Sequence, residues 1–137
     1  MNVPRYVGCA IAGFAFTFIF DFLFHGQFLM STYEQTPELW RSQESMQEFF
    51  PVMMMCQFLF AAAFAYIFTL NYEGKGLGEG VRFGLPMGVL IGIGQFTTYA
   101  YMPISLNLAL MWFGGAVIWV IGLGVIFASI YKQKETA

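Results

Sequence analysis

Charge is scarce in this sequence, and its scarcity excludes several classes of protein. Asp, Glu, Lys and Arg together make up 10% of the 137 residues, against roughly 25% in a typical soluble domain. A soluble chain of this size could not cover so much apolar surface. The formal net charge is −2, so we expect no general attraction to nucleic acid and no nucleic-acid partner.

Residues that bind metals or act as nucleophiles are also few. His25 is the only histidine, and no serine or cysteine nucleophile lies beside it. Cys9 and Cys56 lie in apolar segments near opposite faces of the expected membrane, so we expect no disulfide between them. The glycine-rich stretch 74–80 does not follow a strand, which argues against a phosphate-binding loop. We therefore predict a protein that is not an enzyme, and the sequence identifies no cofactor.

Apolar side chains are abundant, with 58% hydrophobic and 20% aromatic residues. Only a lipid bilayer can cover this much apolar surface, so the sequence predicts one integral membrane domain over residues 1–137. We expect the first helix to stay uncleaved. The prediction is an all-α, four-transmembrane-helix bundle with helices at about residues 6–24, 49–70, 81–102 and 108–130.

A polar segment separates the first two expected helices. Thr36, Pro37 and Glu38 match a helix N-cap, a first-turn proline and an early acid. Apolar side chains follow at positions that suit a membrane surface. The sequence therefore predicts a short amphipathic helix over residues 37–48, lying on the outer face of the membrane between helices 1 and 2.

The positive charges predict the orientation of the bundle. With the N-terminus in the cytoplasm, five of the six positive residues fall on the cytoplasmic side, as the positive-inside rule requires. Only Arg41 falls on the other side. Both termini are therefore expected in the cytoplasm. The cytoplasmic residues are Arg5, Lys75, Arg82, Lys132 and Lys134.

Polar side chains within the expected helices concentrate in their outer halves. This asymmetry predicts a polar cluster that opens outward beneath the amphipathic helix, as a ligand-binding site or a structural feature. Its predicted members are Asp21, His25, Tyr33, Arg41, Gln57, Gln95 and Tyr99.

Asp21 and His25 are spaced i,i+4 and therefore share a helical face. A carboxylate in an apolar helix is costly and needs a partner, and His25 and Arg41 are the cations available to it. One interpretation is a proton-responsive or ligand-binding pair. The other is a structural tie between helix 1 and the outer loop. Both predict that the two residues interact, with Tyr33 or Arg41 as a third member.

Two metal-binding interpretations lead to no predicted metal site. Asp21, His25, Glu34 and Glu38 offer ligands for a divalent ion, but a single histidine is a poor basis for zinc. The run Met53–Cys56 offers sulfur ligands suited to Cu(I). Consecutive methionines point to different sides of a helix, however, and methionine is an ordinary packing residue.

Small residues at four-residue intervals mark a packing face on the third helix. Gly84, Gly88 and Gly92 form a continuous small-xxx-small stripe. Such stripes let two membrane helices approach each other closely. On the fourth helix, Trp112 and Trp119 are seven residues apart, which suits packing, lipid contact or a flat lipophilic ligand.

Short motifs spread over nearly the whole chain resemble an uncharacterised family of small bacterial four-helix membrane proteins, of the domain-of-unknown-function type. The resemblance implies a four-helix bundle in the bacterial inner membrane. It implies no activity, since the family has none assigned. The motifs are Asp21-x-x-x-His25-Gly26, Tyr33, Leu39-Trp40-Arg41, Gly80-x-Arg82-Phe83-Gly84, Pro103 and Trp112.

Two functional hypotheses follow. The first is a non-enzymatic multi-pass protein, either an accessory subunit of a larger membrane assembly or a binder of a lipophilic ligand. Its expected partners are the lipid bilayer and other membrane subunits, or further copies of itself. The alternative is a small proton- or ion-coupled transporter that uses Asp21 and His25. The first is favoured because almost no soluble mass exists to hold an active site, and because an aromatic-rich surface with a ridge of glycines suits helix partners.

Overall fold

The computed structural model describes residues 1–133, and its regular structure is all helical. Helix α1 leads directly into a π-helical turn, and single 3-10 turns follow α2 and α4. The α-helices are α1 (Val3–Leu23), α2 (Met30–Tyr33), α3 (Gln43–Leu70), α4 (Leu77–Thr97) and α5 (Leu106–Ile130). The other turns are the π-helical turn Phe24–Phe28 and the 3-10 turns Pro37–Leu39 and Thr98–Ala100.

The four long helices alternate in direction, so the bundle has two distinct ends. At one end the backbone N–H of Asn2 donates to the hydroxyl of Tyr131 at 3.1 Å, and the Tyr72 ring packs edge-on against Tyr131. We call this the proximal end. The opposite end carries residues 29–42, and we call it the distal end.

Three helices in the described chain are long and apolar enough to cross a membrane. They are Val3–Phe28, Phe50–Leu70 and Leu106–Ile130. Helix α4 is 21 residues long but is not among them by composition. The chain therefore has the features of a membrane protein.

Glycines on one face of α4 set its distance from α5. A Cβ atom on Gly88 would stand 2.9 Å from the Cα atom of Val117, which is closer than real side chains approach backbone. Only glycine lets the two backbones lie this near. The glycines, each with the α5 residue that it faces, are Gly80 with Gly124, Gly84 with Ile121, Gly88 with Val117, and Gly92 with Phe113.

The amphipathic helix expected over residues 37–48 is not a separate element, and this prediction was wrong. A single 3-10 turn covers Pro37–Leu39, and the chain then becomes extended at Trp40. Helix α3 begins at Gln43 because the hydroxyl of Ser42 caps it, accepting the N–H of Ser45 at 3.2 Å. The second half of the expected helix, residues 43–48, is thus the beginning of α3.

The other helix boundaries lie near the expected ones, and capping side chains explain the earlier starts of α1 and α5. Asn2 caps α1, so this helix begins earlier than residue 6. Ser105 caps α5 by accepting the N–H of Leu108 at 3.1 Å. Helix α4 begins at Leu77 and gives way to a 3-10 turn after Thr97, before Pro103. Lys134, one of the expected cytoplasmic charges, lies outside the described residues.

Candidate functional site

A hydrogen bond between two membrane helices forms the base of the distal site. Nε2 of Gln57, on α3, donates to Oδ2 of Asp21, on α1, at 2.6 Å. Gln57 is buried and Asp21 is half-buried. This bond gives the carboxylate a donor inside an apolar surrounding, where an unpartnered one is costly. The amide oxygen of Gln57 is buried without a hydrogen-bond partner among residues 1–133.

His25 lies in the π-helical turn that follows α1. The turn is closed by an i to i+5 bond, in which the N–H of Leu29 donates to the carbonyl of Phe24 at 2.9 Å. Nδ1 of His25 lies 2.6 Å from the hydroxyl of Tyr33, and the two rings stack nearly parallel. Single π-helical turns are frequent at functional sites because they redirect a side chain.

Tyr33 links the histidine to α5. The indole N–H of Trp112 donates to the Tyr33 hydroxyl at 2.9 Å, so that hydroxyl can accept from Trp112 and donate to His25 at once. Trp40 packs edge-on against both Tyr33 and Trp112. Its own indole N–H donates to Thr36 at 3.3 Å. We call His25, Tyr33, Trp40 and Trp112 the distal aromatic cluster.

The pKa of Tyr33 is raised above its usual range. Burial is the main cause, since it disfavours the phenolate. The hydrogen bond from Trp112 opposes this shift, and the negative charge of Asp21 adds to it. Tyr33 therefore keeps its hydroxyl proton, and with it the ability to donate to His25.

A partly open cavity of about 150 Å³ lies beside the distal aromatic cluster. Four aromatic rings, two titratable side chains, one amide and two small residues form its wall. Trp119 is held in place because its indole N–H donates to the buried Thr17 at 3.0 Å. The lining residues are Phe20, Asp21, Phe24, His25, Gln95, Trp112, Gly115, Ala116 and Trp119.

Five of the seven side chains predicted for the polar cluster meet at this cavity. Asp21, His25 and Gln95 line it, while Gln57 and Tyr33 bond to lining residues. The remaining two, Arg41 and Tyr99, lie elsewhere.

Arg41 and Tyr99 have other neighbours. The Arg41 guanidinium stacks 4.2 Å from the centre of the Phe49 ring and contacts Ser45. It does not reach Asp21, because Trp40 leads the chain into the extended stretch before α3. Tyr99 lies exposed in the 3-10 turn beside Phe96. Neither belongs to the site, which corrects their assignment.

Asp21 and His25 face the same cavity but form no ion pair. Among residues 1–133, ion pairs join only Glu73 to Lys75 and to Arg82. Each member of the expected pair has a neutral partner instead, Gln57 for Asp21 and Tyr33 for His25. Tyr33, not Arg41, is thus the third member of the group.

Several residues of the site were not assigned to the cluster from sequence. Trp40 and Phe24 reach the site through residues 29–42 and the π-helical turn, which apolar periodicity does not reveal. Gly115 accommodates the Phe24 ring, because a Cβ atom on it would overlap that ring. Trp112 and Trp119 were noted as possible ligand contacts, but their hydrogen bonds to Tyr33 and Thr17 were not foreseen.

A second cavity, of about 320 Å³, opens between α3 and α4 at the proximal end, but its charged groups are already paired. The buried carboxylate of Glu79 accepts the backbone N–H groups of Glu73 and Lys75, at 2.5 and 2.7 Å. Hydrogen bonds from Lys75 and Arg82 lower the pKa of Glu73. We therefore interpret these groups as structural, because their hydrogen bonds and ion pairs stabilise the loop between α3 and α4.

No group of three or more His, Cys, Asp or Glu side chains is placed to hold a metal ion within the described part of the chain. Glu34 and Glu38 do not join Asp21 and His25 in such a group. Met53 and Met55 are exposed on the outside of α3, where apolar side chains suit lipid contact.

No protein-family model, curated protein or solved structure matches this chain.

Proposed function

We propose that this chain is a non-enzymatic membrane protein that binds a small lipophilic molecule in the distal cavity. The cavity itself carries the proposal. Its aromatic wall with a few fixed polar groups has the composition of a ligand site. A cavity of about 150 Å³ has room for a molecule the size of benzene, so the ligand, or the part of it that enters, is small.

The three tryptophans of the chain allow a direct test. All of them lie in the distal aromatic cluster or the cavity wall, so their fluorescence reports on this site. A neutral aromatic probe such as toluene, added to the full chain in dodecyl maltoside, should change the emission and raise the melting temperature. A ligand at 100 times its Kd stabilises by about 2.7 kcal/mol.

A variant that fills the cavity supplies the control. Ala116→Leu places extra carbon atoms at the cavity wall and should abolish the response to toluene. Gly114→Ala adds a methyl group on the same helix where a Cβ atom meets nothing within 4 Å, so it should respond like the wild type. A wild type that ignores toluene, or an Ala116→Leu variant that responds fully, would contradict the proposal.

We also propose that all four long helices cross the membrane with both termini in the cytoplasm, so that the distal end faces outward. Helix α4 runs antiparallel along α5, and a helix so placed occupies the same depth as a spanning helix. Arg5, Lys75, Arg82 and Lys132 gather at the proximal end, and Arg41 lies at the distal end. The resemblance to small bacterial proteins favours the inner membrane.

The proposed orientation is tested by labelling single cysteines in a Cys9→Ala, Cys56→Ala background. A membrane-impermeant reagent applied from outside should label position 41 and leave position 75 unlabelled. Labelling of position 75 alone would invert the bundle and place the cavity on the cytoplasmic side.

The transporter hypothesis is less well supported by the packing. A coupled transporter needs a route past the cavity to the proximal side. Below the cavity, the bundle interior is filled by a buried aromatic core that includes Phe64, Phe68 and Phe127. This closed core favours binding over transport. The accessory-subunit hypothesis stays a prediction.

A further inference from the structure

The wall of the distal cavity carries one acidic side chain, that of Asp21, without a matching cation. Within residues 1–133, no Lys or Arg lies within ion-pair distance of Asp21. The donor that it has is the neutral amide of Gln57 at 2.6 Å. A carboxylate in such surroundings is stabilised by a positive charge placed beside it. A cation in the cavity would supply that charge.

The nearest titratable side chain does not take this role in the geometry described. His25 lines the same cavity, but its Nδ1 is bound to the Tyr33 hydroxyl at 2.6 Å. When that hydroxyl donates to Nδ1, the imidazole is neutral. The cavity then contains one acid and no protein cation.

The tryptophans in the wall offer ring surface and no donor. An indole has a single N–H group. That of Trp112 is used by Tyr33 and that of Trp119 by Thr17. Neither can donate to an anionic ligand, whereas the electron-rich surface of an aromatic ring attracts a cation. The two tryptophans therefore favour a cation over an anion.

We infer that the ligand of this cavity is a small organic cation, namely an alkylated ammonium group. The inference rests on the proposed function, since it specifies what the same cavity binds. Aromatic cages recognise such groups through ring surfaces, and Asp21 would neutralise the charge. A methylated ammonium group is of a size to enter about 150 Å³. It can belong to a free cation or to the choline headgroup of a lipid.

Two probes of the same shape separate charge from size. Benzyltrimethylammonium is cationic, and neopentylbenzene is its neutral isostere. Both are titrated against the full chain in dodecyl maltoside, which is uncharged and free of choline, at about pH 8, where an ordinary imidazole is neutral. Tryptophan fluorescence gives the affinity. The cation should bind at least about tenfold more tightly than the isostere.

Asp21→Asn should remove that preference and leave the affinity for the isostere within about twofold. Glu48→Gln removes one acid from an exposed position on α3 outside the cavity and should leave the preference intact. Equal binding of both probes by the wild type would overturn the cation inference but keep the proposed function. Failure of both probes to bind would overturn both proposals.

The source of the cation is distinguished by adding lipid. Lysophosphatidylcholine and lysophosphatidylglycerol are added separately before the titration. Competition by the choline lipid alone, absent in Asp21→Asn, identifies a lipid headgroup as the occupant. An unchanged affinity with either lipid identifies a free cation. Equal competition by the glycerol lipid would contradict recognition of an ammonium group.

Discussion

At the proximal end aromatic side chains fill the space between the helices, whereas at the distal end they surround a cavity. The proximal core packs Phe127 against both Phe64 and Phe68, with ring centres about 6 Å apart. The distal rings are held in position by hydrogen bonds to neighbouring side chains instead. The same residue types thus give a solid core at one end and a site at the other.

The two ends differ in the hydrogen-bond partners of their polar and aromatic side chains. Proximal polar groups bond mainly to backbone, as Tyr6 does to the carbonyl of Ala62 at 3.3 Å. Distal side chains bond to side chains on other helices, as Trp119 does to Thr17 and Trp112 to Tyr33. A ring fixed at its edge by a hydrogen bond can border open space, because its position does not depend on being packed from all sides.

The largest expected effect compares one phenylalanine from each end. Phe127→Ala removes a fully buried ring and should lower the free energy of unfolding by about 3–5 kcal/mol. Phe20→Ala removes a ring that borders the distal cavity and should cost about half as much, since fewer contacts are lost. Unfolding in mixed detergent micelles measures both. Equal losses would mean that the two ends are packed alike.

The row of glycines on α4 that faces α5 runs between the two ends of the bundle. Adding one methyl group to a glycine of this row tests whether close packing requires it. Gly88→Ala forces a carbon against Val117 and should cost about 1–3 kcal/mol. Gly94→Ala, on the same helix, meets nothing within 4 Å and should be neutral or slightly stabilising, by up to about 1 kcal/mol. The same unfolding assay applies. A harmless Gly88→Ala would remove close packing as the reason for this glycine.

Tyr33→Phe tests the hydrogen bonds that hold the distal rings. Loss of the hydroxyl leaves His25 and Trp112 without this partner and should cost about 1–2 kcal/mol. Tyr99→Phe changes an exposed tyrosine outside the site and should change the unfolding free energy little. A shift of tryptophan emission should accompany the first variant only, and its absence would argue against the Trp112 bond.

Tyr33 also predicts a dependence of stability on pH. Its pKa is raised in the folded chain, so it contributes stability that is fully present below the unfolded pKa of about 10. That contribution is lost as the pH rises through the folded pKa. Comparison with Tyr33→Phe isolates this residue from the other tyrosines. Parallel pH profiles for the two proteins would show that Tyr33 ionises normally.

The smallest expected effect concerns pairs of polar residues around Asp21. A double-mutant cycle of Asp21→Ala with Gln57→Ala should give an interaction energy of about 1 kcal/mol, because the two side chains are hydrogen-bonded. A cycle of Asp21→Asn with His25→Gln should give about half of that, from charge across the shared cavity. A larger interaction energy for Asp21 with His25 than for Asp21 with Gln57 would support the direct Asp21–His25 pair that the i,i+4 spacing predicts.

Much of the fold was predictable because membrane helices leave a strong apolar signal. The run from residue 108 to Ile130 matches α5 closely, and the spacing of Gly84, Gly88 and Gly92 marked the face that lies against α5. The start of α3 was missed because Pro51 resembles a first-turn proline. Ser42 caps the helix earlier, and Pro51 is accommodated inside it.

The site was only partly predictable, for a different physical reason. Asp21, His25 and Gln57 were recognisable because polar side chains in apolar helices are conspicuous. Their partners were not, since spacing along one helix cannot show a contact between α1 and α3. The π-helical turn at His25 depends on an i to i+5 bond at Phe24, for which the local sequence gives no sign.

The composition of α4 also bears on how such a bundle is synthesised. Six of its 21 residues are glycines, and Glu79 and Arg82 lie near its start, so its own tendency to leave the translocon for lipid is weak. The surface that accommodates four of those glycines belongs to α5, which the ribosome makes later. If all four helices span the membrane, as proposed, α4 does not enter the lipid until α5 has been synthesised, and the two helices then insert together as a hairpin. A chain that stops between them would leave α4 uncommitted at the membrane and open to proteolysis.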